Sequence, residues 1–114
     1  MKNKYFEEIT AIIRLARPRL STTNKLEFKN VFGAVGVYVN GHIFASCGKF
    51  GVAFRLPPDT RGALFQQKEA KYLKYFPKGH IKKEYAVLSK KILNDKHRLK
   101  RIMDESLKYA ISLQ

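Results

Sequence analysis

The stretch KYLKYFPKGHIKKEY, residues 71–85, sets five lysines among three tyrosines and a phenylalanine around a Pro77-Lys78-Gly79 turn. Basic side chains interleaved with aromatic rings suit a single-stranded nucleic acid. Ammonium groups follow the phosphates while rings stack on bases, each worth about 1–3 kcal/mol. Strand alternation puts Tyr72, Lys74 and Phe76 on one face and Lys71, Leu73 and Tyr75 on the other. The pattern also serves a plainer purpose, in which aromatics cover a core and lysines keep an edge strand from pairing with other chains.

Other chemistries find fewer residues to work with. His42, His80, His97 and Cys47 show none of the paired spacings, such as C-x-x-C or H-x-x-x-H, from which metal sites are built. Ser46-Cys47 has no nucleophile elbow around it. Gly33, Gly36, Gly48 and Gly51 lack the spacing and strand-to-helix context of a phosphate loop. The expectation is a protein that is not an enzyme and holds neither metal nor cofactor.

Charge points the same way as the opening stretch. The net charge is +14, and residues 61–114 hold 14 of the 23 basic side chains against 5 of the 9 acidic ones. Such a field attracts nucleic acid or an acidic protein and says nothing about fold. Lys96, Arg98, Lys100 and Arg101 crowd the start of the last predicted helix. The helix's own partial charge disfavours cations there by about 0.3–1 kcal/mol each. A bound anion would relieve that repulsion, and so would screening by salt. Further along, Asp104 with Lys108 and Arg101 with Glu105 have the i,i+4 spacing of ion pairs.

The elements that must position these residues follow from periodicity. Residues 3–16 read as a helix, with Phe6, Ile9, Ile13 and Ala16 on one stripe, and Pro18 ends it before a polar connection, RLSTTNK. Leu26 to Phe32 alternates as a strand. VGVYVNGHIFASCG reads as a hairpin around Asn40-Gly41, the preferred pair for a two-residue turn. That loop predicts the pairs Val39 with His42, Tyr38 with Ile43, Val37 with Phe44 and Gly36 with Ala45. In FGVAFRL, Phe50, Val52, Phe54 and Leu56 form a bulky face for helices, leaving Gly51, Ala53 and Arg55 opposite. A short helix follows Pro57-Pro58, capped by Asp59 or Thr60. The opening stretch then runs strand, turn and strand to Leu88. A turn of helix starts at Ser89. Asn94 or Asp95 caps a last helix whose stripe runs from Leu99 through Ile102, Met103 and Tyr109 to Leu113. The fold class expected is α+β: one two-layer domain over residues 1–114, in the order αβββαββα. Its mostly antiparallel sheet of about five strands carries helices on one face.

The motif series NVFGAVGVYVNGHIFA, FRLPPDTRGALF and GHIKKEYAVL resembles the N-terminal domain of the TfoX/Sxy family, the competence-regulator relatives. Phe32-Gly33 before the hairpin carries the resemblance, as do Gly41, Phe44 and Ala45 in its return and Arg55-Leu56-Pro57 at the strand end. Arg61, Leu64 and Lys83-Glu84-Tyr85 complete it, while Lys82 stands where an apolar residue is more usual. The resemblance spans roughly residues 26–113 and implies a two-layer α/β domain without catalytic machinery, related to proteins that help switch on transcription.

Two functional readings result. In the first, nucleic acid is held by Lys71, Lys74, Lys78, Lys82, Lys83, Lys90, Lys91, Arg98 and Arg101, with Tyr72 or Tyr75 stacking on bases. In the second, a small-residue sheet face formed by Gly36, Tyr38, Ala45, Gly51 and Ala53 makes a homodimer or takes an acidic protein partner. A single cysteine, the absence of any run of roughly 20 apolar residues, and charges interrupting the N-terminal apolar stretch lead to the expectation of a cytoplasmic protein that avoids membranes.

Overall fold

The computed structural model describes residues 3–113. Asn3 opens the first helix, α1 (Lys4–Ala16), its Oδ1 accepting the Phe6 N–H at 2.8 Å. Ile9, Ile13 and Ala16 form the buried stripe that the spacing predicts. The stretch expected to be a polar connection contains one helical turn, α2 (Leu20–Thr23), because Leu20 is fully buried and pins it to the core.

Six strands form one antiparallel sheet: β1 (Leu26–Val31), β2 (Ala34–Val39), β3 (His42–Gly48), β4 (Gly51–Arg55), β5 (Ala70–Leu73) and β6 (Lys82–Leu88), in spatial order β1-β2-β3-β4-β6-β5. After β4, α3 (Pro58–Gln66) carries the chain to the outer edge, so that β6 returns between β4 and β5. Pro57 stands at its N-cap position with Pro58 behind it. No side chain caps this helix, and the Thr60 hydroxyl donates to Glu105 Oε1 at 2.5 Å instead. Ser89 caps α4 (Lys90–Leu93), and Asp95 caps α5 (Lys96–Ser112) by accepting the Arg98 N–H at 3.2 Å. Helices α1 and α5 cover one face of the sheet. Between them and the strands lie Ile9, Val35, Val37, Val39, Phe44, Phe54, Leu99 and Met103, all without solvent exposure. Side chains of this size contribute about 1.5–3 kcal/mol each when fully buried.

The register of the central hairpin departs from the expected one. Val39 faces His42 and Tyr38 faces Ile43, but the pairing then slips so that Val37 faces Ala45 and Gly36 faces Ser46. Phe44 is the extra residue of a β-bulge. It and Ala45 both face the helices, where Phe44 meets Phe54 at a centroid distance of 6.5 Å. Ala45 therefore belongs to the core and not to the small-residue face. A bulge leaves a main-chain group unpaired, and here Ser106 of α5 donates to the Phe44 carbonyl at 2.7 Å. Phe50 also changes sides: Gly51 has φ +113° and breaks the alternation, so Phe50 packs with Ala53, Leu73 and Val87 on the face away from the helices.

Replacing Ser106 by Ala strands the buried Phe44 carbonyl. The expected loss is about 1–3 kcal/mol of stability, read as a lower denaturation midpoint at unchanged m-value. A midpoint equal to wild type would mean that the bulge does not need its hydroxyl partner.

Candidate functional site

The sheet face away from α1 and α5 is covered by the chain itself. Phe50, Tyr75 and Tyr85 pack against Ala53, Leu73 and Val87. The connection from β5 to β6, residues 74–81, carries Tyr75 over the sheet, where its hydroxyl donates to Ser46 Oγ at 3.2 Å. The bulge makes this contact available by turning Ser46 to this face. Burial raises the Tyr75 phenol above its ordinary value of 10, with the Ser46 bond opposing the shift. Burial raises Tyr85 as well, and the nearby Tyr75 adds to it. Both are neutral at physiological pH.

This cover changes the second reading. Ala53 is fully buried, Gly51 is half-buried, and a Cβ on Gly36 would meet Val31 Cγ2 at 2.9 Å. Their small size accommodates side chains of this same chain. Tyr38 is half-buried, with Lys29 Nζ 4.9 Å from its ring centroid.

The basic residues fall into three groups. Lys74 and Lys78 are exposed in the β5–β6 connection, and Lys82 follows at the start of β6 with its Nζ 6.0 Å from the Tyr75 ring centroid. Lys83 is exposed next to it, its carbonyl accepting from Arg61. Lys71 and Lys90 line a different groove with Lys68, and Lys91 lies close enough to Glu69 to favour its ionised form. Arg101 and Arg98 line a third groove, of about 320 Å³, between α3 and α5. These residues do not make one continuous site.

Arg98 is already engaged. Its guanidinium donates twice to the Glu69 carboxylate, at 2.5 and 2.6 Å, bracing α5 against the segment before β5. The i,i+4 pairs expected on α5 are replaced by longer-range partners. Asp104 pairs with Arg17 beyond α1, and Glu105 accepts from Thr60. Tyr72 is 59% exposed but stacks on Phe65 of α3 at 4.5 Å and 25°, on the helix side of β5.

Side chains not anticipated gather beside the covering segment. Phe32, in the turn between β1 and β2, lies 5.5 Å from Tyr75 and 5.7 Å from Phe76, measured between ring centroids, and Phe50 lies 5.5 Å from Tyr75. A recess of about 390 Å³ opens among these rings, with Tyr5 and Lys49 also on its wall. Phe32 is 63% and Phe76 53% exposed. Phe32 has φ +50°, a left-handed conformation that costs a bulky residue on the order of 1 kcal/mol. The signal in the sequence was Phe at a turn position that prefers Asn.

Cys47 is buried, its thiol donating to Glu8 Oε1 at 3.3 Å, and burial pushes it up to about 12. Among the described residues no three His, Cys, Asp or Glu side chains gather to hold a metal ion, and no helix is long and apolar enough to cross a membrane.

Compared with known families, the chain matches the TfoX N-terminal domain over residues 19–110. No curated protein matches it.

The Arg98 pair lowers the Glu69 carboxyl below its ordinary value of 4.5. A depressed carboxylate stabilises the fold above its unfolded pKa, and the contribution disappears as pH falls through the lowered folded value. Glu69→Gln is therefore expected to lower stability at pH 7 and to flatten its decline on acidification below about pH 4.5. Melting temperatures across that range check this; parallel wild-type and variant curves would contradict it.

Proposed function

This chain belongs to the TfoX N-terminal domain family, and from that premise we propose that it is a non-enzymatic binding domain whose ligand is nucleic acid. Family membership supports a regulatory or binding role. The basic surface around residues 74–83 supplies the chemistry for a polyanion.

One observation carries the reading: among the described residues every ion pair uses an arginine, and no lysine is paired. Arg17, Arg55 and Arg98 take up Asp104, Glu84 and Glu69. Glu105 accepts from Thr60, Glu8 from Cys47, and Asp95 caps α5. Most of the nine acidic side chains are thus used within the fold, and the described lysines face solvent without forming an ion pair. Around the Tyr75 cover the positive field is supplied by Lys49, Lys74, Lys78 and Lys82. A flexible ammonium is a point charge suited to phosphates along a strand, and such contacts position a ligand without reading its sequence. The alternative of a homodimer through the small-residue face has less support, since Ala53 already lies against Phe50, Tyr75 and Tyr85.

Labelled oligonucleotides, single-stranded and duplex, titrated at about 50 mM and about 200 mM salt test the proposal. Wild type is expected to retain micromolar binding at the higher salt. Reversal of Lys74, Lys78 and Lys82 to Glu removes three phosphate contacts and should flatten the salt slope by about 2 to 3. Reversal of Lys90 and Lys91, which belong to α4, should do less. Binding confined to low salt and indifferent to which lysines are reversed would be the behaviour of any strongly cationic protein and would end this reading.

A further inference from the structure

We propose that the recess beside Phe32 receives an unpaired base of a single-stranded nucleic acid, with Phe32 and Phe76 as its stacking rings. This rests on the nucleic-acid reading above and names the part of the surface that tells strands from duplexes.

The molecule contains its own control. Two hairpins close on two-residue turns with the same backbone: Asn40-Gly41 has φ +49° and +87°, and Phe32-Gly33 has φ +50° and +81°. The first uses the residue that such a turn prefers; the second places a phenylalanine in the same strained position. Turn formation does not call for that ring, and burial does not explain it, since Phe32 is 63% exposed. Its neighbours meet it at a steep angle, Phe76 at 66° and Tyr75 at 57°, so neither lies flat on it. Beside these two contacts Phe32 keeps 63% of its surface exposed, which leaves room for a planar partner.

The surroundings select the partner. The recess of about 390 Å³ falls within the size range of small-molecule clefts, about 300–1,000 Å³. Its lining comes from four separate segments: α1, the two hairpin turns flanking β2–β3, and the covering connection. No carboxylate lines it, Lys49 forms part of its wall, and Lys82 stands over the adjoining Tyr75 ring. Apolar rings with cations beside them and no acid match a base attached to a phosphodiester chain. In a duplex the base faces are occupied by their neighbours, so entry requires an unpaired strand. The Tyr75–Ser46 hydrogen bond holds the recess's inner wall to the sheet and so keeps it formed without ligand.

The test uses the full chain with fluorescent DNA and RNA single strands of about 12 nucleotides and the corresponding DNA duplex. Phe32→Asn restores the preferred turn residue, so its melting temperature is expected to equal or exceed that of wild type. Its affinity for single strands is expected to fall about tenfold while duplex affinity stays unchanged. Phe76→Ala, in an exposed connection, should act in the same direction. Whichever of DNA and RNA shows the larger fall is the strand the recess accepts. A variant that melts lower and binds strands as wild type does would make the ring structural and overturn the proposal, leaving the lysine surface intact. Equal losses on strand and duplex would also overturn it. If wild type binds no oligonucleotide at all, the nucleic-acid reading itself fails. If it instead forms a dimer that Phe32→Asn dissociates, the recess belongs to a second copy of the chain.

Discussion

The hydrogen bond from Ser106 to the Phe44 carbonyl holds an irregularity on which both faces of the sheet depend. Strand alternation is strict, so a single inserted residue reverses the facing of everything beyond it. At Phe44 the insertion lets two consecutive residues, Phe44 and Ala45, face the helices. Ser46 turns away from them and meets the Tyr75 hydroxyl. Without the bulge Ser46 would point into the apolar layer beneath α5, where an unpaired hydroxyl costs about 1–3 kcal/mol. Tyr75 would then lose its anchor on the sheet. A device inside the core thus decides what the opposite surface can hold.

That surface reflects a division of labour between the two kinds of cation. Arginine's planar fork matches a carboxylate twice over, as Arg98 does with Glu69. Such pairs tie α5 to the segment before β5, β4 to β6, and the end of α1 to α5. Of the nine acidic residues, these three pairs, the Asp95 cap and the hydrogen bonds to Glu105 and Glu8 take up six. The lysines are left as a solvated field by subtraction. Net charge alone did not reveal this; the partners had to be located first.

Local signals were legible in the sequence and long-range ones were not. Asn40-Gly41 fixed a hairpin, the α5 stripe fixed a helix, the order of elements gave the α+β class, and the motif series carried the family resemblance that the domain match supports. The bulge was hidden because His42 to Cys47 alternates plausibly in either register. Only the apolar demand of the helix side, met by Phe44 and Ala45 together, selects one. The covering role of Tyr75 was hidden because it depends on Ser46, 29 positions away in the chain. Arg98 looked free because its partner Glu69 lies on another element. Of the candidate site, the lysines of the β5–β6 connection were found by composition, whereas Phe32, Phe50 and Lys49 come together only through the fold.

The two hairpin turns show how a local rule and a global role can part company. Consistency between turn chemistry and backbone is the ordinary condition of a folded chain, and departures from it concentrate where the side chain serves something besides folding. Asn40 obeys the rule and also contributes to packing, since its Oδ1 accepts the Lys25 N–H at 3.2 Å and ties the turn to the start of β1. Phe32 breaks the rule while remaining largely in solvent, inclined at 66° to Phe76 and 57° to Tyr75. Neither turn geometry nor core packing calls for a phenylalanine there, which is why the proposed ligand is placed at the recess it borders and not on the small-residue face of the sheet.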